Sequence, residues 1–86
     1  MVDKIAQAIG KGNQAKQRLE DPLFQEAVAK LKADYVTEWA AAKSTEAREK
    51  IWTRYNLIED VSQRLVSLMN DGKMAKVELE RLQKVA

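Results

Sequence analysis

Apolar residues recur at steps of three and four through the middle of the chain, and this spacing predicts two long helices. The first carries an apolar stripe made of Phe24, Val28, Leu31, Tyr35 and Trp39. Residues at these steps share one face of an α-helix. Asp21 supplies an N-cap acceptor, and Pro22 is preset to helical φ. The pattern therefore predicts a helix over about 22–42.

A second stripe follows a short break at Lys43, Ser44 and Thr45. It consists of Ala47, Ile51, Tyr55, Ile58, Val61, Leu65, Leu68 and Met69. Ser44 or Thr45 is suited to the N-cap, and Asn70-Asp71-Gly72 is typical of a helix end. We expect a helix over about 45–70. Because the connection is short, it should run antiparallel to the first and form a long helical hairpin.

The two ends of the chain have weaker patterns. Over residues 1–20 the apolar stripe is incomplete, and Gly10 and Gly12 interrupt it, each at a cost of about 1 kcal/mol against alanine in a helix. We expect a loosely ordered N-terminal arm or short helix there. Residues 73–86 predict a shorter C-terminal helix that folds back. The predicted fold is a small all-α bundle, with a helical domain over 21–86.

The interface between the two long helices should form the core. We expect six residues to be largely buried there: Phe24, Leu31, Trp39, Ile51, Ile58 and Leu65.

Histidine and cysteine are both missing from the 86 residues. Their absence removes the usual general base, the thiol nucleophile and the ordinary zinc ligands. Glu59 and Asp60 are adjacent, so on a helix they point about 100° apart and cannot share a proton or a metal. We expect no enzymatic activity, no catalytic residues, no metal site, no cofactor and no small-molecule substrate.

The net charge of +2 is too small to favour nucleic acid as a partner. The sequence has no apolar run long enough to span a bilayer, and its start does not resemble a signal peptide. These features predict a protein of the cytoplasm that binds other proteins, either a second copy of itself or another chain.

Five residues are candidates for partner binding. Trp52 lies at the edge of its helix stripe, and tryptophan is enriched at interface hot spots. The other four are basic residues of the N-terminal segment, namely Lys4, Lys11, Lys16 and Arg18. A basic arm can contact phosphates or an acidic protein groove.

Three features between residues 19 and 80 form a further pattern: the Phe24–Leu31–Trp39 spacing, Arg48-Glu49 followed by Trp52, and Asp71-Gly72-Lys73. Together they resemble a set of small all-helical proteins encoded by tailed bacteriophages and prophages. The resemblance implies a viral context, among particle-assembly genes, and hence the cytoplasm of a bacterial host or the virion itself. It carries no catalytic or binding motif.

Three functions follow as hypotheses. The first is a structural or assembly component of a virion, acting as an oligomer. The second is a small inhibitor or adaptor that binds a host or defence protein. The third is a DNA-binding accessory of genome packaging, which the weak net charge does not favour.

Overall fold

The computed structural model describes residues 2–85, and these residues form three α-helices. They are α1 (Val2–Glu20), α2 (Pro22–Ala41) and α3 (Thr45–Val85). Residues 2–85 contain no strand. The predicted all-α class is confirmed.

Asp21 is the single residue that separates α1 from α2. Its carboxylate accepts hydrogen bonds from the backbone N–H groups of Leu23 (2.8 Å) and Phe24 (3.2 Å), and so satisfies two donors that a helix start leaves unpaired. The side-chain amide of Gln25 donates to the carbonyl oxygen of Leu19, at the end of α1 (2.7 Å). The Asp21-Pro22 pair therefore ends one helix and begins the next within one residue.

Replacing Asp21 with alanine should lower the free energy of unfolding by about 1 kcal/mol, because the two backbone donors lose their acceptor. Asp21→Asn should keep most of the stability, since asparagine is an equally good N-cap. Urea denaturation followed by circular dichroism measures both variants. Equal losses for alanine and asparagine would show that the carboxylate does not act as a cap.

Residues 42–44 connect α2 to α3. Ala42 has an extended backbone (φ −66°, ψ 137°), and its N–H donates to the carbonyl oxygen of Trp39 (3.2 Å). The hydroxyl of Ser44 accepts from the backbone N–H of Ala47 (3.1 Å). The Arg48 guanidinium donates to the carbonyl oxygen of Ala42 (3.1 Å). These bonds hold the connection against the first turn of α3.

α1 and α2 lie one after the other along α3. Gly12 of α1 contacts Gly72, Lys32 of α2 forms an ion pair with Glu59, and Trp39 lies beneath the Arg48 guanidinium. In these three contacts the residue number on α3 decreases as the residue number on α1 and α2 increases. Both helices therefore run antiparallel to α3. The molecule measures 64 × 25 × 15 Å, and a helix of 41 residues is about 62 Å long. Its length is therefore that of α3.

The prediction of a separate C-terminal helix is wrong, because α3 continues to Val85. The prediction that α1 is a loosely ordered arm is also wrong, since residues 2–20 form one helix that packs mainly on α3. Both errors come from reading Gly10, Gly12 and Gly72 as helix breakers. None of these glycines has positive φ.

Gly12 and Gly72 are needed for packing. A Cβ atom on Gly12 would lie 2.8 Å from the Cα of Gly72 and 3.1 Å from the carbonyl oxygen of Leu68. A Cβ atom on Gly72 would lie 2.9 Å from the Cα of Gly12 and 3.1 Å from the carbonyl oxygen of Ala8. Gly10 has no atom within 4 Å of its Cβ position. The two buried glycines let the backbones of α1 and α3 touch.

Small residues occupy the centre of the α1 face that meets α3. The positions at alternating steps of three and four are Ile5, Ala8, Gly12, Ala15 and Leu19. This 3.5-residue repeat is the seam pattern of paired helices. Ala15 is only 2% exposed. α1 is thus held by close backbone approach rather than by large side chains.

The predicted core is much less buried than expected. Leu31 is 44% exposed and Trp39 is 47% exposed, while Phe24, Ile51, Ile58 and Leu65 are half-buried. Among residues 2–85, no side chain larger than that of alanine is buried. The reason is geometric: helices in a single layer cover each other only along one side, and both broad faces of the layer remain open.

Candidate protein-binding groove

An apolar groove of about 680 Å³ lies between the second half of α2 and the first turns of α3. We call it the aromatic groove, and define it by Tyr35, Val36, Trp39, Ile51, Trp52 and Tyr55. It contains both tryptophans and both tyrosines of the chain. Aromatic side chains dominate binding energy at protein interfaces, so this groove is the candidate functional site.

Helical spacing places these rings on one side of the molecule. Tyr35 and Trp39 are four residues apart on α2, and Trp52 and Tyr55 are three residues apart on α3, so each pair shares a helix face. The rings of Trp52 and Tyr55 are stacked, with centroids 5.8 Å apart and an angle of 3° between their planes. Trp52 nevertheless remains 58% exposed. The groove thus presents a preformed but uncovered aromatic surface.

Charged groups of both signs surround the groove. The guanidinium of Arg48 lies 5.5 Å from the centroid of the Trp39 ring, and Glu49 lines the same opening. The ammonium of Lys32 lies 5.9 Å from the centroid of the Tyr55 ring and pairs with Glu59. A hydrogen bond to Glu59 raises the pKa of Lys32 above its ordinary value. The Lys32 ammonium beside Tyr55 is therefore charged at neutral pH.

Only one of the five predicted binding residues belongs to this site. Trp52 lines the aromatic groove, whereas Lys4, Lys11, Lys16 and Arg18 lie exposed on α1 and do not line it. Lys16 is 3.9 Å from Glu20 in an exposed pair, which is worth little to stability. The structure does not bring the four basic side chains together with Trp52.

Periodicity does not single out Tyr35, Val36 and Tyr55 as candidate binding residues, and it predicts that Trp39 belongs to the core. One signal was available. Tyr35 precedes residue 43, the middle of the connection, by eight positions, and Trp52 follows it by nine. An antiparallel pair of helices joined there must bring Tyr35 and Trp52 to about the same level, with Trp39 about one turn nearer the connection and Tyr55 about one turn farther from it.

The opposite side of the same helix pair has a smaller depression of about 450 Å³. Its lining is mixed and includes Glu38, Ala41, Lys50 and Arg54. Within residues 2–85, no group of three side chains of the types that bind metals is close enough to hold an ion. No helix in this part of the chain is long and apolar enough to cross a membrane.

No protein-family model, curated protein or solved structure matches the chain. The resemblance to small phage proteins therefore stays a prediction that rests on the three sequence features given above.

Proposed function

We propose that the chain acts without catalysis, through protein–protein contacts, as a structural or assembly component of a larger particle. The observation that carries this proposal is the lack of a closed core. Large hydrophobic residues on the surface include Leu23, Leu31, Trp39 and Trp52. Trp39 and Trp52 lie together in the aromatic groove, and exposed apolar surface gathered at one place usually marks an interaction site.

The chemistry of the groove supports a binding role. Its polar lining residues are Thr45, Arg48 and Glu49 together with the tyrosine hydroxyls. The Arg48 guanidinium already donates to the Ala42 carbonyl, and Thr45 starts α3. The sequence has no histidine or cysteine to act as base or nucleophile beside these groups, which supports a role without catalysis.

The elongated shape also supports an assembly role. A single layer 64 Å long offers two broad faces to neighbours, whereas a compact monomer of this size would enclose its apolar residues. In this proposal, the predicted hairpin of residues 22–42 and 45–70 becomes part of a closed helical bundle only when other chains cover it. The resemblance to phage proteins suggests that the larger particle is a virion, which is assembled in the bacterial cytoplasm.

Gradient sedimentation of lysates from cells that naturally encode the chain tests this function. We expect the chain to sediment with a particle far larger than its own 9.8 kDa and to remain there after nuclease treatment and in high salt. Release by nuclease or salt would instead favour the DNA-binding alternative. A small complex with one other protein would favour the inhibitor or adaptor. Either result contradicts the assembly role.

A further inference from the structure

The chain exposes more surface than a monomer of its mass should. Its accessible surface is 6826 Å², whereas a globular monomer of 9.8 kDa exposes about 5,200 Å². The difference is about 1,600 Å² per chain. A standard interface covers about 800 Å² per partner, and permanent dimers cover about 1,000–2,500 Å². The surplus belongs to the whole elongated chain, and one permanent partner of similar size packed along it would cover an area of this magnitude.

The rim of the aromatic groove is complementary to itself. Arg48 and Glu49 are adjacent and of opposite sign, and both line the opening. In a two-fold symmetric interface the same patch is used by both copies. Arg48 of one copy can then face Glu49 of the other, and the symmetry repeats this pair a second time. The apolar residues of the two grooves contact each other between the two pairs. A partner whose contacting surface carried charges of only one sign would be repelled by either Arg48 or Glu49.

We propose that a second copy of this chain occupies the aromatic groove, so that two layers pack face to face as a symmetric dimer. Trp52 of each copy enters the groove of the other and contacts Trp39 and Tyr35 there. This inference rests on the proposed function, because it names the first partner of the same binding surface. The dimer is the building block from which the larger assembly grows.

Both tryptophans of the chain lie in the groove, so their fluorescence reports directly on its occupation. Sedimentation equilibrium of the purified full chain should give a dimer. Over a dilution series, the tryptophan emission should move to longer wavelength and become more accessible to acrylamide as the dimer dissociates. The two measurements should yield the same dissociation constant.

A matched pair of variants locates the interface. Trp52→Ser should raise the dimer dissociation constant by at least about 30-fold, the effect of losing an interface hot spot. Leu57→Ser is the control, because Leu57 is equally exposed at 58%, lies on the same helix and does not line the groove. It should change the constant by less than about threefold. Circular dichroism confirms that both variants keep their helices.

Charge reversal tests the symmetry without removing any apolar surface. Glu49→Arg leaves two adjacent positive residues on the rim, and Arg48→Glu leaves two adjacent negative ones. Each variant alone should dimerise about tenfold more weakly, because like charges then meet across the two-fold axis. An equimolar mixture of the two should form a heterodimer of nearly wild-type affinity. Only self-pairing through this rim predicts that recovery.

The second-copy proposal is overturned if the fully helical wild-type chain is monomeric at about 100 μM. It is equally overturned if the dimer is unaffected by both Trp52→Ser and Glu49→Arg. A monomer that still sediments with a particle would leave the proposed function standing and remove only the dimer. A dimer that never sediments with a particle would support the second-copy proposal and contradict the proposed function.

Discussion

Proline at position 71 is expected to lower the free energy of unfolding by at least about 3 kcal/mol. Asp71 lies well inside α3, where proline removes a backbone hydrogen bond and clashes with the preceding turn. The kink would fall beside Gly72, at the point where α1 touches α3. Small domains are stable by only about 5–15 kcal/mol, so Asp71→Pro should show a marked loss of helicity and a much lower urea midpoint.

Lys43→Pro is the matched control. Residue 43 lies in the connection between α2 and α3, and the preceding Ala42 already has the extended conformation that proline demands of its neighbour. We expect this variant to change stability by less than about 1 kcal/mol. If α3 instead ended near residue 70, as the Asn70-Asp71-Gly72 pattern predicts, the two proline variants would be similarly mild.

Alanine at Gly12 is expected to destabilise the protein by about 1–3 kcal/mol, even though alanine favours helix over glycine. The new methyl group would lie 2.8 Å from the Cα of Gly72 and close to the Leu68 carbonyl. Both are backbone atoms, so neither can move aside without separating the helices. Overpacking costs of this kind outweigh the gain of about 1 kcal/mol in helix propensity. Thermal unfolding followed by circular dichroism measures the loss.

Alanine at Gly10 should instead stabilise the protein. Its Cβ position is open, so Gly10→Ala should gain about 0.5–1 kcal/mol from helix propensity alone. Gly72→Ala should resemble Gly12→Ala, and the double variant should cost less than the sum because both methyl groups strain one contact. Equal stabilisation at positions 10 and 12 would show that α1 does not pack closely on α3.

The sequence predicts the beginnings of α2 and α3 well, since each depends on local chemistry. Asp21-Pro22 and Ser44-Thr45 cap their helices through bonds within a few residues. Glycine is different, because a single sequence does not say whether a glycine ends a helix or admits a neighbouring backbone. That choice for Gly12 and Gly72 depends on contacts between residues far apart in the chain.

The candidate site shows the same limit. The periodicity of α2 correctly predicts that Tyr35 and Trp39 share one helix face, and the place of Trp52 at the edge of its stripe indicates a candidate binding residue on α3. Whether such a face is covered depends on the number of helix layers in the fold, and the periodicity of a sequence gives no information about that number. With one layer, the stripe that looks like a core stays in part exposed, and Trp39 is exposed for that reason.

The end-to-end placement of α1 and α2 along α3 also sets an order for folding. The contacts nearest the 42–44 connection join residues close in the chain, such as Trp39 and Arg48, and close the shortest loop. Because α1 follows α2 after one residue, pairing of α2 with α3 carries α1 toward its own site. We therefore expect contacts between α3 and the other two helices to form first near the connection and then progressively farther from it. The Gly12–Gly72 contact closes the longest loop and is expected to form last, but it lies among the only buried residues of the described chain, Gly12, Ala15 and Gly72. We therefore expect the more open α2–α3 end of the rod, where α2 has no buried residue, to open first in the native state.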